Sequence, residues 1–375
     1  MRVAIVGAGP AGAAAGHHLA RAGHEVLLLD RCEFPRPKTC GDWITRGALV
    51  ELEHMGLPRV SLRRRAEQHA EIRGSLVAAP NGRHSRVSLP SDDPAACVPR
   101  SVFDALLVRR AQEAGCRLER QPVRDPAALL GDHQLVIDAR GVYAGRANTV
   151  AIRSYWELPA SRVDESTRST VQLFTVERFR MGYGWIFPVH VTRERVLLNL
   201  GVGIWRAEHD ERGLSIRQEL DRFVHDNPVT RRLAAVATER GRPRGHHLAL
   251  AEGRLEVAGG GVLRVGDAAN LTDPITGEGI ANAVLGGRLA AQAIDGARDP
   301  AQAQRRWQRA YEERMLPELL AAIRLRRVLV GTRRKNLAMW LLRRSKRLAE
   351  RFHGSLEGVV SYREVLPGLL RPEPS

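Results

Sequence analysis

A glycine-rich turn behind an apolar run at the start of the chain constrains its fold more than any other feature. Residues 3–6 (VAIV) are apolar and largely β-branched, which predicts a buried strand. Gly7, Gly9 and Gly12 follow in the spacing G-x-G-x-x-G, and the next residues predict a helix over 10–22. A strand, such a turn and a helix in that order are typical of the first unit of a doubly wound α/β domain.

Each glycine has a physical reason to stand in this turn. Gly7 permits the tight bend, Gly9 lets a pyrophosphate approach the backbone, and Gly12 lets the helix pack closely on the strand. A second predicted strand over 25–29 ends at Asp30, 18 residues after Gly12. Because a carboxylate there can accept the hydroxyls of an adenosine ribose, the unit predicts a site for NAD or FAD.

The choice between the two dinucleotides stays open at this point. Arg31 follows the acid rather than replacing it, and we count it with the cofactor-binding residues. The formal charge of +16 does not predict a nucleic-acid partner, because only three of the 58 basic residues are lysine (Lys38, Lys335 and Lys346), a skew typical of a GC-rich genome. The four cysteines have no metal-ligand spacing, so we expect no metal.

The predicted fold class is α/β: a doubly wound nucleotide-binding domain, interrupted by an antiparallel β-sheet substrate domain and followed by a helical C-terminal region with a basic surface. The predicted boundaries are 1–60, 98–149 and 261–300 for the first, 61–97 and 150–260 for the second, and 301–375 for the third. Local patterns also predict a helix over 43–55, a helix over 101–114 capped by Ser101, and a hairpin at 257–261 (VAGGG).

The segment between Arg324 and Arg351 carries eleven basic residues against a single glutamate. Helix is predicted from residue 301 to about 352, and four apolar residues of this segment are predicted to share one helix face: Leu337, Trp340, Leu341 and Leu348. Two interpretations stay open, a helix packed on the protein with a solvated arginine face, or a peripheral contact with a membrane. Without a signal-peptide pattern or a run of 18 apolar residues, we expect a cytoplasmic protein.

A second informative motif, GDAANLTDPITGEGI, covers residues 266–280 and follows a predicted buried strand. Asp267 can bind hydroxyls next to a phosphate or on a ribityl chain. Pro274, Gly277 and Gly279 leave backbone N–H groups exposed beside a flavin. Ile280 starts a long predicted helix, whose N-terminus can stabilise negative charge on the reduced ring.

Together with GAGPAG at 7–12, FPRPKTCGD at 34–42 and GYGWIFP at 182–188, this motif resembles the geranylgeranyl reductase family of FAD-dependent oxidoreductases. That family sits in the larger group of flavoproteins that includes aromatic hydroxylases. The resemblance implies FAD as the cofactor. It implies that the ADP half is bound by Gly7, Gly9, Gly12 and Asp30, and that Arg100 lies near the flavin phosphate or ribityl chain. It also implies that Cys40 and Gly41 lie beside the flavin ring. The ring and ribityl chain would be bound by Asp267, Pro274, Gly277, Gly279 and Ile280.

The resemblance also implies that Tyr183, Trp185 and Phe187 wall the substrate pocket, and it makes Cys40, Tyr183 and Trp185 the candidate catalytic residues. The chain departs from the A-D-G-x-x-S signature of aromatic hydroxylases, because Arg140 and Ala144 replace its Asp and Ser. We therefore expect electrons from weakly bound NAD(P)H or from a partner reductase.

Three functions are compatible with this sequence. The first is reduction of C=C bonds in an apolar isoprenoid- or polyketide-like molecule, by hydride from reduced flavin. The second is a monooxygenase that hydroxylates or epoxidises a secondary metabolite. The third is a flavin-bound scaffold that cyclises its substrate without redox turnover, and fold resemblance does not separate the three.

Overall fold

The computed structural model describes residues 1–58 and 69–370. This part of the chain forms three β-sheets and ends in a helical region, which confirms the predicted α/β fold class. The predicted domain boundary between residues 60 and 61 and the last residues, 371–375, lie outside the described residues. We propose that the chain is divided into a discontinuous nucleotide-binding domain, a β-sheet substrate domain and a C-terminal helical region. The proposal rests on which sheet each strand belongs to.

A six-stranded sheet carries the glycine-rich turn. All of its neighbouring strands are parallel except the first pair, which is the predicted hairpin. In spatial order the strands are Ala258–Gly259, Val262–Arg264, Leu135–Asp138, Arg2–Val6, Glu25–Asp30 and Arg117–Arg120. The helices Arg100–Glu113 and Ile280–Asp295 both contact the first helix, Pro10–Arg21. Because these strands are parallel, their carboxyl ends lie at the same edge of the sheet, and ligands bind at this edge in doubly wound sheets.

A seven-stranded sheet forms the second layer. In spatial order its strands are Thr238–Leu248, Thr149–Pro159, Arg195–Trp205, Gly182–Val191, Thr170–Thr175, Gly74–Ala78 and His84–Ser88. The prediction of a purely antiparallel sheet is wrong at one place, because Thr170–Thr175 and Gly74–Ala78 run parallel. The chain passes through the nucleotide-binding sheet between these two strands, and a long crossover of this kind permits parallel pairing.

The predicted helix over 43–55 begins later than expected. Trp43–Ile44 is instead a short strand in a third sheet, with Ala95–Cys97 and Ala70–Ile72 beside it. The helix is Arg46–Glu53, and the hydroxyl of Thr45 accepts a hydrogen bond from the Ala48 N–H at 3.2 Å. Thr45 is thus the N-cap, and the apolar residues before it pair as a strand.

The predicted cap of the next helix is also wrong. The helix is Arg100–Glu113, its N-cap is Pro99, and Ser101 lies inside the first turn. The backbone N–H of Arg100 donates a hydrogen bond to Asp42 Oδ1 at 3.1 Å, although 58 positions separate the two residues. A carboxylate brought in by the fold has replaced the local cap.

The C-terminal region is longer in helix than predicted and is divided into separate helices. These are Pro300–Arg314, Leu316–Val328, Thr332–Arg344, Lys346–Leu356 and Tyr362–Leu370. Among residues 1–58 and 69–370 the remaining α-helices are Glu165–Ser169, Arg206–Glu211, Ile216–Asp226 and Pro228–Ala234, and the 3₁₀ turns are Pro126–Gly131, Gly141–Tyr143, Ala160–Arg162 and Gly266–Ala269. No helix in the described part of the chain is long and apolar enough to cross a membrane.

The four apolar residues of the basic segment do not share a helix face. Leu337 and Trp340 are 58% and 38% exposed on the helix Thr332–Arg344, whereas Leu341 is buried on the same helix. Leu348 is buried on the following helix. The prediction is wrong because Ser345 ends one helix and caps the next, so the helical phase does not run through the segment.

Candidate functional site

One cavity of about 670 Å³ lies at the carboxyl edge of the six-stranded sheet and is closed on its far side by the seven-stranded sheet. Most of the predicted site residues line it: Gly7, Gly9, Asp30, Arg31, Cys40, Gly41, Arg100, Tyr183, Trp185, Phe187, Asp267, Gly277, Gly279 and Ile280. Gly12 and Pro274 are not in its wall. Residues from four distant stretches of the chain therefore meet in one space.

The glycine-rich turn has the geometry that its spacing predicts. Gly7 has a φ of +106°, and a Cβ there would lie 2.2 Å from the carbonyl oxygen of Ala139. A Cβ at Gly12 would lie 1.8 Å from the carbonyl oxygen of Gly7, so the helix packs against the turn itself. A Cβ at Gly9 would meet only Arg36 within 4 Å, which leaves open space above the start of the helix for an anion.

Asp30 accepts hydrogen bonds from the glycine turn and from its own loop. The N–H of Ala8 donates to Asp30 Oδ2 at 2.8 Å, and the N–H of Cys32 donates to Oδ1 at 2.9 Å. A carboxylate oxygen has lone pairs beyond one hydrogen bond, so contact with ribose hydroxyls stays a prediction. Next to it, the Arg31 guanidinium carbon lies 4.1 Å from the ring centre of Tyr143, on the wall of the same cavity.

A buried cation cluster lies beside the turn. Arg100 is 5% exposed and donates from Nε and Nη2 to the two oxygens of Asp104, at 2.7 and 2.9 Å. Arg36 approaches the same carboxylate at 3.3 Å and Asp30 at 3.8 Å. Two guanidinium groups therefore lie at the cavity wall, held by Asp104 and Asp30, and guanidinium groups are well suited to bind a phosphate. Sequence reasoning found Arg100 but not Arg36.

Asp267 lies between two partners. The hydroxyl of Thr272 donates to its Oδ1 at 2.9 Å, and Lys38 Nζ lies 3.6 Å from its Oδ2. A Cβ at Gly279 would lie 3.3 Å from Asp267 Oδ1, so this carboxylate reaches the start of the helix Ile280–Asp295. Sequence reasoning did not assign Lys38, although it stands in the FPRPKTCGD stretch.

The Cys40-Gly41 loop rests on the aromatic side chains. A Cβ at Gly41 would lie 2.7 Å from the Phe187 ring and 3.6 Å from Trp185 Nε1, so only glycine permits this approach. Burial raises the pKa of the Cys40 thiol. Asp42, which follows, is fully buried with a φ of +66° and accepts hydrogen bonds from the Tyr155 hydroxyl at 2.5 Å and from Asn199 at 2.9 Å.

The three aromatic residues form a row on one face of their strand. The ring centres of Tyr183 and Trp185 are 6.0 Å apart, and those of Trp185 and Phe187 are 6.2 Å apart. Trp185 Nε1 donates to Asn199 Oδ1 at 2.9 Å, and the Tyr183 hydroxyl donates to the carbonyl oxygen of Thr276. The row connects the Cys40 loop to the loop before Ile280, so both loops contact the same apolar wall.

Glu278 and His246 also line the cavity, and sequence reasoning assigned no role to either. Burial, with the negative charge of Asp273 adding to it, raises the pKa of Glu278 to about 7. Burial lowers the pKa of His246 to about 4, with the charge of Lys38 acting in the same direction. The GEG stretch could have drawn attention to Glu278, but its raised pKa results mainly from burial, which this local pattern does not predict.

The cavity fits FAD by its own chemistry. Gly9 and the helix behind it leave an open anion site, Arg100 and Arg36 bring two guanidinium groups to the wall, and Gly277 and Gly279 have no side chains there. The indole N–H of Trp43 is buried in the same wall without a hydrogen-bond partner in the described part of the chain. Arg140 is held by Asp138 at 2.8 Å, which differs from the hydroxylase signature.

Comparisons with known proteins agree with this chemistry. Residues 1–135 match the family model described as FAD binding domain. The chain is 30% identical to digeranylgeranylglycerophospholipid reductase 2 of Methanopyrus kandleri, over 83% of this chain and 82% of the relative. It is 31% identical to a menaquinone reductase of Mycobacterium tuberculosis, over 78% of this chain and 76% of the relative.

Solved structures share the fold. A geranylgeranyl bacteriochlorophyll reductase-like protein from Thermoplasma acidophilum superposes with a TM-score of 0.75 at 21% identity, over 91% of this chain and 90% of the other. A flavin-dependent brominase gives a TM-score of 0.74 at 18% identity, over 99% of both chains. At these identities the structures show the fold and not the reaction. The sequence relatives and the matched FAD-binding domain decide the family: the chain belongs to the geranylgeranyl reductase family of FAD-dependent oxidoreductases.

Proposed function

We propose that this enzyme reduces a C=C bond of an apolar, isoprenoid-like substrate. The observation that carries the proposal is the row of Tyr183, Trp185 and Phe187, which lines the same cavity as the glycine turn and the loop before Ile280. An apolar wall in the same cavity as a cofactor site favours an apolar substrate and excludes water from the reacting atoms. The sequence relatives named as digeranylgeranylglycerophospholipid and menaquinone reductases support the same substrate class.

A second cavity supports a long substrate. It has a volume of about 100 Å³ and shares Tyr183 and Thr276 with the large cavity. Its other walls are mostly apolar and come from the seven-stranded sheet and the C-terminal helices, including Leu173, Met339 and Phe352. A substrate chain that extends past Tyr183 would be buried there, and each fully buried apolar segment of side-chain size contributes roughly 1.5–3 kcal/mol.

Bound FAD supplies the hydride in this proposal, and the protein holds and orients both reactants. Gly7, Gly9 and Asp30 would bind the adenosine diphosphate half, with Arg100 beside the phosphates. The N-terminus of the helix Ile280–Asp295 lies at the cavity wall, where the positive end of its dipole can stabilise negative charge on the cofactor. Cys40, Tyr183 and Trp185 would contact the substrate.

The electron source in our proposal is weakly bound NAD(P)H or a partner reductase. Arg140 supports it, because its guanidinium is engaged by Asp138 at the position where hydroxylases carry an Asp. Titration of the holoenzyme with NADPH tests this point. Saturable binding at a low micromolar dissociation constant, about −8 kcal/mol, would overturn it.

We infer a membrane surface as a further partner. Leu337 and Trp340 are exposed on the helix Thr332–Arg344, and the Arg344 guanidinium carbon lies 4.3 Å from the Trp340 ring centre. Arg333 and Arg334 are exposed on the same helix. Apolar and aromatic side chains among arginines complement an anionic lipid surface.

The test of the proposed reaction uses the reduced holoenzyme without oxygen. Digeranylgeranylglycerophospholipid and menaquinone are added separately, reoxidation of the flavin is followed by absorbance, and the products are identified by mass. A product that carries two additional hydrogens in its isoprenoid chain, located by mass fragmentation, supports the proposal, whereas reduction of the menaquinone ring to a quinol does not. Product that carries oxygen, formed only when air is admitted, would instead support the monooxygenase, and cyclised product without flavin reoxidation would support the scaffold.

A further inference from the structure

The proposed reduction needs a proton as well as a hydride, and the cavity wall contains several acidic or basic groups that could give one. Tyr183 already donates its hydroxyl proton to the carbonyl oxygen of Thr276, and burial raises its pKa. Burial also raises the pKa of the Cys40 thiol. Both groups hold their protons too tightly at neutral pH to be efficient acids.

The other titratable groups of the wall are engaged or neutral. Asp30 accepts two backbone N–H groups and lies 3.8 Å from Arg36. Asp267 pairs with Lys38. His246 has a pKa of about 4, so it carries no transferable proton at neutral pH.

Glu278 differs from all of these in its position and its contacts. It stands between Gly277 and Gly279, two wall residues without side chains, directly before the helix Ile280–Asp295. Its Oε1 accepts the N–H of Ala281 at 2.8 Å, and the N–H of Ile280 also interacts with the carboxyl group. The first residues of the helix therefore fix the carboxyl group beside the cavity.

The aromatic row reaches the same point. A Cβ at Gly277 would lie 3.5 Å from the Tyr183 hydroxyl, so the end of the row and the Glu278 loop are in contact. A substrate that packs on Tyr183 and Trp185 would therefore lie between the row and this loop. Glu278 is thus close to both the substrate wall and the glycines expected beside the flavin.

We propose that Glu278 is the proton donor of the reaction, an inference that rests on the proposed function. The hydride, with its electron pair, adds to one alkene carbon and leaves FAD oxidised. The π pair of the alkene forms the second C–H bond with the proton of the Glu278 carboxyl group. Glu278 is left as a carboxylate, which water reprotonates, so the substrate gains two electrons and two hydrogens.

The surroundings of Glu278 keep its proton available near neutral pH. The carboxylates of Asp273 and Asp267 face it from the preceding loop and oppose its ionisation. Tyr183 faces it from the seven-stranded sheet, and Glu357 and Tyr362 face it from the C-terminal helices. Burial is the largest cause, and it brings the pKa to about 7, where a general acid is most efficient.

The test compares Glu278→Gln with the wild type and with Glu313→Gln, the same change at an exposed helix position. Gln keeps the acceptor for Ala281 and removes the proton. Infrared spectra of the oxidised holoenzyme on either side of pH 7 report the protonated carboxyl directly. We expect a band that titrates near pH 7 in the wild type and in Glu313→Gln and is missing in Glu278→Gln. Glu357→Gln identifies the band of a second buried carboxyl group, whose pKa burial raises to about 8.

The kinetic arm measures the anaerobic rate at which the reduced holoenzyme reduces a C=C bond in the isoprenoid chain of digeranylgeranylglycerophospholipid or of menaquinone, with the reduced bond identified by mass fragmentation. We expect Glu278→Gln to retain FAD and melting temperature and to lose ~10²–10⁴-fold in rate, the usual contribution of a general acid. The wild-type rate should fall as pH rises above about 7, and the variant should lose that dependence. A variant with the wild-type rate and pH profile would overturn the proton donor alone. A wild type that reduces a C=C bond in the chain of neither substrate would overturn the proposed function and this inference together.

Discussion

Asn199 Nδ2 lies 2.7 Å from the carbonyl oxygen of Cys40, although 159 positions separate the two residues. The same amide donates to Asp42 at 2.9 Å and accepts from Trp185 at 2.9 Å. Because Asn199 is fully buried on the strand Arg195–Trp205, it holds the Cys40 loop and the aromatic row in one fixed relation.

Replacing Asn199 by Leu should destabilise the protein and loosen this loop. Loss of the amide leaves Asp42, the Cys40 carbonyl and the Trp185 N–H without this partner, and each unsatisfied buried group costs about 1–3 kcal/mol. Thermal unfolding should show a lower melting temperature, and Cys40 should react faster with a thiol reagent. Asn81→Leu, in an exposed turn, is the control and should change stability by less than about 0.5 kcal/mol. An unchanged melting temperature in Asn199→Leu would mean that the loop is held by other contacts.

Gly9→Leu should abolish flavin binding in a folded protein. Only Arg36 lies within 4 Å of a Cβ at this position, so the fold has room for the side chain, which would then fill the space above the helix start. Flavin released by denaturing the wild type should be FAD rather than FMN. The reason is that the glycine turn and Asp30 are expected to bind the adenosine diphosphate half of FAD, which FMN lacks. Gly253→Leu, where a Cβ meets nothing within 4 Å, is the matched control. Retained FAD in Gly9→Leu, or FMN from the wild type, would contradict this prediction.

Cys40→Ser should keep FAD and change turnover or product. The substitution keeps the size of the side chain but alters its polarity and acidity, and burial already keeps the native thiol protonated by raising its pKa. Product analysis by mass spectrometry and flavin content measured on the same preparation check both statements. Unchanged rate and product would place Cys40 among inert buried thiols.

Trp185→Ala should weaken the apolar substrate about tenfold or more, because a buried aromatic surface worth roughly 1.5–3 kcal/mol is removed from the pocket wall. Flavin content should barely change. The fully buried Trp307, which packs in the core of the nucleotide-binding sheet, gives the control Trp307→Ala. Both variants should melt earlier, at a cost of about 3–5 kcal/mol, but only Trp185→Ala should lose affinity in the folded fraction. Wild-type affinity in that fraction would make Trp185 an ordinary core residue.

The double variant Leu337→Ser and Trp340→Ser should bind anionic vesicles less than the wild type in co-sedimentation. Both side chains are exposed, so the melting temperature should stay within a few degrees. Added salt should weaken wild-type binding, because arginines near an anionic surface contribute about 1 kcal/mol each at low ionic strength. Val236→Ser, at another exposed apolar residue, is the control. A wild type that stays in solution with anionic vesicles would refute the membrane contact.

The local geometry of this protein could be predicted from sequence because it depends on neighbours in the chain. The strand Arg2–Val6, the bend at Gly7 and the helix Pro10–Arg21 lie within one continuous stretch. The hairpin at 257–261 likewise follows from adjacent glycines, since Gly260 and Gly261 both have positive φ. Glycine spacing and apolar periodicity are sufficient there because no distant residue has to be brought in.

The relations that shape the site required the tertiary structure. Asp42 accepts the first N–H of the helix Arg100–Glu113, Asn199 binds the carbonyl oxygen of Cys40, and the charges of Glu278 and Glu357 interact although 79 positions separate them. No sequence pattern links these pairs, because strand register and helix packing decide which side chains meet. Sequence therefore determined the glycine turn, the fold class and the cofactor, whereas long-range packing alone decided which buried polar groups satisfy one another and which carboxyl keeps its proton.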